Sequence, residues 1–145
     1  MSDVLVEERV LLGGTARSRD DAVREVGRML VDAGAVLPGY VDGMLEREQT
    51  APTYMGNFLA IPHGTLGAKE QILRTAVALV RYDEPVDWDG QPVRVVVGIA
   101  GAGDEHLEVL GRIALVFSDD DRVASVLEAR DARAVLAAFE PAHPA

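Results

Sequence analysis

Two spacings of apolar residues divide the chain. From Ser18 the apolar positions Ala22, Val26, Met29, Leu30 and Ala33 recur at helical spacing. Ser18 is the expected N-cap, with Asp21 three residues on, and Asp20 and Asp21 suit the positive end of a helix dipole. Gly34 ends this helix. Pro38 opens a second one whose buried face is Tyr40, Val41, Met44 and Leu45 and whose last turn holds Arg47. Strand patterns follow. Phe58 to Ile61 is a short apolar run halted by Pro62, which has no N–H to give a ladder. Thr75 to Tyr82 reads as a strong strand. Val93 to Ile99 is so uniformly apolar that it predicts a central strand buried on both faces. The Asp89-Gly90 turn between these two predicts an antiparallel hairpin, with Trp88 packed on it. A weaker first strand lies at Val10, Leu11 and Leu12, closed by Gly13-Gly14.

Helical spacing returns at Leu107, Leu110, Ile113, Ala114 and Phe117. One or two further helices lie between Asp119 and Phe139, broken near Arg130-Asp131, with Val123, Val126, Leu127, Val135 and Leu136 inward. At 145 residues this is one domain, expected over residues 1–139. Residues 140–145 contain two prolines and form a flexible tail, so His143 is expected to be inert.

Composition narrows the chemistry. Cysteine is absent, which excludes disulfides, thiolate metal sites and a cysteine nucleophile within this chain, so any thiol chemistry belongs to a partner. A net charge of −10 argues against nucleic acid and favours a partner with a basic face, although acidity also serves solubility alone. The chain has neither a signal-peptide pattern nor an apolar run of about 18 residues, so a soluble, cytoplasmic protein without membrane insertion is expected.

Two histidines follow strand ends. His63 comes directly after the Phe58–Ile61 run, where open α/β sheets place their ligands, and Gly64 and Thr65 beside it allow close approach and offer a hydroxyl. His106 follows Ala100-Gly101-Ala102-Gly103 in the first turn of a helix, a natural anion site. Arg47 has two readings: a cation complementing a helix C-terminus, or a fixed charge for a ligand. His63 likewise reads either as a reactive imidazole or as a satisfied loop histidine. Together the three groups suit a phosphoryl group. A neutral imidazole attacks phosphorus through one nitrogen while an acceptor holds the other N–H. His106 as donor and Arg47 as cation would stabilise the equatorial oxygens. A metal site of His63, His106 and Glu105 lacks ligand spacing, and neither a nucleophile elbow nor a complete phosphate-binding loop is present.

The segments Met44-Leu45-Glu46-Arg47-Glu48, Pro52-Thr53-Tyr54-Met55-Gly56, Ala60-Ile61-Pro62-His63-Gly64-Thr65 and Glu105-His106 carry a resemblance in this order. The chain, from about Ser18 to Phe139, resembles the mannitol/fructose-type enzyme IIA of the bacterial phosphoenolpyruvate:sugar phosphotransferase system, closest to the mannitol branch. The resemblance implies a mixed parallel/antiparallel sheet flanked by helices on both faces, an α/β fold. It implies that His63 accepts a phosphoryl group on Nε2 from phospho-HPr and passes it to a cysteine of enzyme IIB in a IIB-IIC permease, for uptake of a sugar alcohol such as mannitol, or of fructose. His106 matches the family's second active-site histidine and Arg47 its phosphate-facing arginine. Thr53, Thr65 and Glu105 are candidates for the phosphate neighbourhood, and no cofactor or metal is implied. Ala51 departs from the threonine common before that proline. An apolar rim including Met55 and Phe58 would serve both partners. The other reading is a regulatory module whose phosphorylation at His63 controls partner proteins.

Overall fold

Val93 to Ile99 does become the middle of a sheet. The computed structural model describes residues 4–139. Its strands are β1 (Val10–Leu12), β2 (Tyr54–Gly56), β3 (Leu59–Ala60), β4 (Ala76–Trp88) and β5 (Gln91–Ala100), in the order β1-β4-β5-β3-β2. β5 pairs antiparallel with β4 and parallel with β3; β1 runs parallel to β4, and β2 antiparallel to β3. The sheet is therefore mixed. The β4–β5 hairpin turns at Asp89 and Gly90, both at positive φ (55° and 94°), as the tightest hairpin turns require.

Helices cover both faces. α1 (Arg19–Asp32) and α2 (Gly39–Thr50) pack on one, and α3 (Glu105–Phe117), α4 (Asp120–Glu128) and α5 (Ala132–Ala138) on the other. Because side chains alternate along a strand, Ala76, Ala78, Val80 and Tyr82 join the first core and Val77 and Leu79 the second. Along β5 the alternation slips once. The amides of Arg94 and Val95 both donate to the Phe58 carbonyl, at 2.9 Å each, a bulge that inserts one residue. Val93 consequently shares the α1/α2 core with Trp88, while Val95, Val97 and Ile99 face α3.

Local signals place the helix ends. Ser18 Oγ accepts from the Asp21 amide at 3.2 Å, and Gly34 ends α1 at φ 73°. Pro38 is the N-cap of α2. Asp119 and Asp131 each accept from amides of the following helix, so the segment predicted as one or two helices is two.

Three expectations change. The run at Phe58 to Ile61 begins as a strand only at Leu59, because Asn57 and Phe58 sit at φ 49° and 67° in the β2–β3 turn. β4 extends past Tyr82 to Trp88, with exposed Pro85 in the irregular stretch between Arg81 and Val86 where ladder pairing shifts. The polar stretch after His63 is a 3-10 helix, Leu66–Gln71. The tail at 140–145, with His143, lies outside the described residues.

Candidate active site

β3 delivers His63. The parallel ladder with β5 continues beyond Ala60 as a bridge between His63 and Ile99, and the Ile99 amide donates to the Pro62 carbonyl at 3.0 Å. Pro62 lacks a donor but keeps its acceptor, so the strand ends there while its last bond holds the histidine in place. Tyr40 of α2 supports the next residue. Its hydroxyl donates to the Ile99 carbonyl at 2.8 Å and accepts from the Gly64 amide at 2.9 Å. A Cβ on Gly64 would lie 2.6 Å from the Tyr40 ring, so only glycine permits this approach.

The imidazole is oriented by its own chain. His63 Nδ1 lies 2.8 Å from the Ile61 carbonyl oxygen. A carbonyl only accepts, so Nδ1 carries the proton and Nε2 keeps its lone pair. Burial lowers the His63 pKa, and the Arg47 charge lowers it further, against the raising effects of the Ile61 bond and Glu48. The balance favours the neutral ring.

His106 stands beside it. The two ring centroids are 5.4 Å apart with planes at 61°. His106 lies in the first turn of α3, and burial, then His63 and Lys69, lower its pKa. The turn that brings it there needs Gly101: a Cβ at that position would fall 2.5 Å from His106 Cβ and 2.6 Å from its Cα. Thr75 Oγ1 secures the same turn by accepting from the Ala102 amide at 3.0 Å and donating to Glu105 Oε1 at 3.1 Å.

A cavity of about 790 Å³ opens in front of both rings. Arg47, His63, Thr65, Lys69 and His106 all line it, with Asp42 and Glu46 on the α2 side. Arg47 Nη1 also donates to the Ala51 carbonyl at 2.7 Å just past the helix end, so this residue closes the helix and faces the cavity at once. Thr53 and Glu105 are not in the lining. The Thr53 side chain is buried against Glu48, and Glu105 is engaged by Thr75. Met55 and Phe58 are exposed but lie outside the lining. Lys69, Tyr40, Thr75 and Glu48 have site roles that the sequence did not single out. Tyr40 was legible as a core residue, but its hydroxyl bonds join segments far apart in the chain. Among the described residues no cluster of three or more His, Asp or Glu is placed to hold a metal, and no helix is long and apolar enough to cross a membrane.

Residues 3–141 match the family model described as "Phosphoenolpyruvate-dependent sugar phosphotransferase system, EIIA 2". The chain belongs to this family. It is thus a phosphotransferase component of that system. The mannitol-specific phosphotransferase enzyme IIA component of Halalkalibacterium halodurans is 48% identical over 92% of this chain and 92% of its own length. The crystal structure of IIA mannitol from Escherichia coli superposes with a TM-score of 0.86 at 34% identity, over 94% of this chain and 99% of that one. The same score and identity are found with a complex of enzyme IIA-Mtl and phosphorylated enzyme IIB-Mtl from Escherichia coli, over 93% and 96% of the two chains. The expected mixed sheet with helices on both faces is the fold observed.

Proposed function

We propose that His63 accepts a phosphoryl group from the phosphohistidine of HPr and hands it to a cysteine of enzyme IIB, for uptake of a sugar alcohol of the mannitol type. The observation that carries this reading is the 2.8 Å bond from Nδ1 to the Ile61 carbonyl, which leaves Nε2 as the nucleophile. The lowered pKa keeps that nitrogen unprotonated at neutral pH. The relatives named as mannitol-specific support the polyol, and the Escherichia coli IIA–IIB complex supports the acceptor.

In the accepting step the Nε2 lone pair attacks phosphorus as the donor's N–P bond breaks. The electron pair leaves on the donor nitrogen, whose ring, protonated at its other nitrogen, departs neutral. The His63 ring keeps its Nδ1 proton and gains positive charge, which the Ile61 carbonyl meets. Arg47 supplies a fixed cation to the equatorial oxygens and His106 a hydrogen bond. Delivery reverses the bonding: a thiolate of IIB forms S–P as N–P breaks, and the pair returns to Nε2. No metal or cofactor enters.

The test is incubation with phosphoenolpyruvate, enzyme I and HPr, followed by intact mass and an acid-lability check. Wild type should gain one acid-labile phosphoryl group and His63→Gln none. No gain on wild type, with HPr shown to be phosphorylated, would refute the carrier. Gain without onward transfer to any IIB would favour a regulatory module.

A further inference from the structure

Glu48 is 1% exposed, an unusual place for a carboxylate in an acidic chain with abundant surface. It sits one residue past Arg47, on the opposite side of α2 from the cavity lining. Its oxygens accept three bonds, all from neutral donors: the Thr53 amide at 2.7 Å, the Thr53 hydroxyl at 2.7 Å, and Trp88 Nε1 at 2.9 Å. Burying a charge in this way is costly, so the arrangement calls for a reason beyond packing.

The bonds lead to the catalytic histidine. The Thr53 carbonyl accepts from the Ile61 amide at 3.1 Å, and the Ile61 carbonyl accepts from His63 Nδ1 at 2.8 Å. On the other side of Thr53, the Ala51 carbonyl accepts from Arg47 Nη1 at 2.7 Å. Residues 51–53 are therefore a node: pinned from below by Glu48, they fix the peptide that sets the His63 tautomer and the carbonyl that holds Arg47. Trp88, fully buried at the end of β4, fixes Glu48 in turn.

We propose that Glu48 is a positioning residue for phosphoryl transfer, acting through Thr53 and Ile61 to hold His63 with its proton on Nδ1 and through Ala51 to hold Arg47. This rests on His63 being the phosphoryl acceptor. The role is geometric. A glutamine at 48 can keep all three bonds, its carbonyl oxygen accepting from the Thr53 amide and Trp88 and its NH2 donating to the Thr53 hydroxyl. An alanine keeps none.

The experiment compares wild type with Glu48→Gln, Glu48→Ala and Thr53→Val. Two readouts are taken: the His63 tautomer by 15N–1H correlation across the imidazole, and the rate of phosphoryl acceptance from phospho-HPr split into kcat and KM. Glu48→Gln should keep the Nδ1–H tautomer and a rate near wild type. Glu48→Ala should mix the tautomers and lower kcat by up to about 10²-fold, the loss expected of a displacement near 1 Å, with KM little changed. Thr53→Val, which removes one bond and keeps the backbone one, should fall between them and serves where Glu48→Ala does not fold. An unchanged tautomer and rate in Glu48→Ala, or in Thr53→Val where that variant stands in, overturns the proposal. So does a Glu48→Gln variant as impaired as Glu48→Ala, since the charge and not the geometry would then matter. The tautomer readout needs no phosphoryl donor. If wild type is not phosphorylated but Glu48→Ala still scrambles the ring, Glu48 sets the His63 tautomer, while its part in phosphoryl transfer is overturned together with the carrier reading.

Discussion

Gly101→Ala tests whether the position of His106 matters as much as its presence. The added methyl would sit 2.5 Å from His106 Cβ and 2.6 Å from its Cα. Carbon atoms rest at roughly 3.5–4.0 Å, so the first turn of α3 must retreat by about 1 Å. It cannot yield by a rotamer change, because of the three nearest atoms only His106 Nδ1, at 2.7 Å, moves with the rotamer, while Cα and Cβ move only with the backbone. Overpacking of this kind costs about 1–3 kcal/mol of stability, which a domain of this size survives, so the variant should fold. A shift of 1 Å in a group that must meet a developing charge can cost about 10²-fold in rate. The assay is single-turnover phosphoryl acceptance from phospho-HPr, with urea denaturation run alongside, on Gly101→Ala, His106→Ala and the double variant. If Gly101→Ala acts through His106, the double variant is no slower than His106→Ala alone, because residues in contact do not add. A Gly101→Ala protein that transfers at the wild-type rate would refute the reasoning, and so would fully additive losses.

His106→Ala should still bind HPr but transfer slowly, measured by titration and single turnover; normal transfer would remove His106 from the mechanism. Burial lowers the pKa of both His63 and His106, so the neutral nucleophile should persist as pH falls through the ordinary histidine value of about 6.5, and acceptance should decline only below it. The same shifts make stability fall as pH drops below that value, since the unfolded chain takes up protons at these rings before the folded one does; an NMR titration of both rings with urea melts across pH 5–7 checks the sign. Tyr40→Phe leaves the buried Ile99 carbonyl without its donor and the half-buried Gly64 amide without its acceptor, and should cost about 1–3 kcal/mol in a urea melt, with slower transfer from a loosened His63 segment. Equal stability in Tyr40→Phe would mean that water or another group replaces the hydroxyl.

Much of the site was legible where the signal is local. The Ser18–Asp21 cap, the Asp89-Gly90 turn and the helix ends depend on residues within a few positions of one another, and each formed as its spacing predicts. Phe58 departs from its local pattern for a related reason. An apolar residue beside Leu59 looks like strand, and Asn-Phe lacks the glycine that usually marks a left-handed turn; the Asn57 side chain instead secures the turn by donating to the Phe117 carbonyl at 2.6 Å, across 60 residues.

Glu48 marks the limit most clearly. Between Arg47 and Gln49 near a helix end it looks like a solvent-facing acid. It becomes a buried one because the β4–β5 hairpin brings Trp88 across 40 residues onto that face of α2. By itself, then, the sequence determined the order of the elements apart from the short edge strand β2, which reads as loop, together with the central strand, the helix caps and the presence of His63, His106 and Arg47 at element ends, because propensity, periodicity and capping act over a few residues. Only the tertiary structure decided that the two imidazoles lie 5.4 Å apart, which nitrogen of His63 is free, and that Thr53 serves Glu48 away from the cavity. Those outcomes come from hydrogen bonds and packing between segments whose closeness is set by the sheet order, and no local pattern encodes a distance.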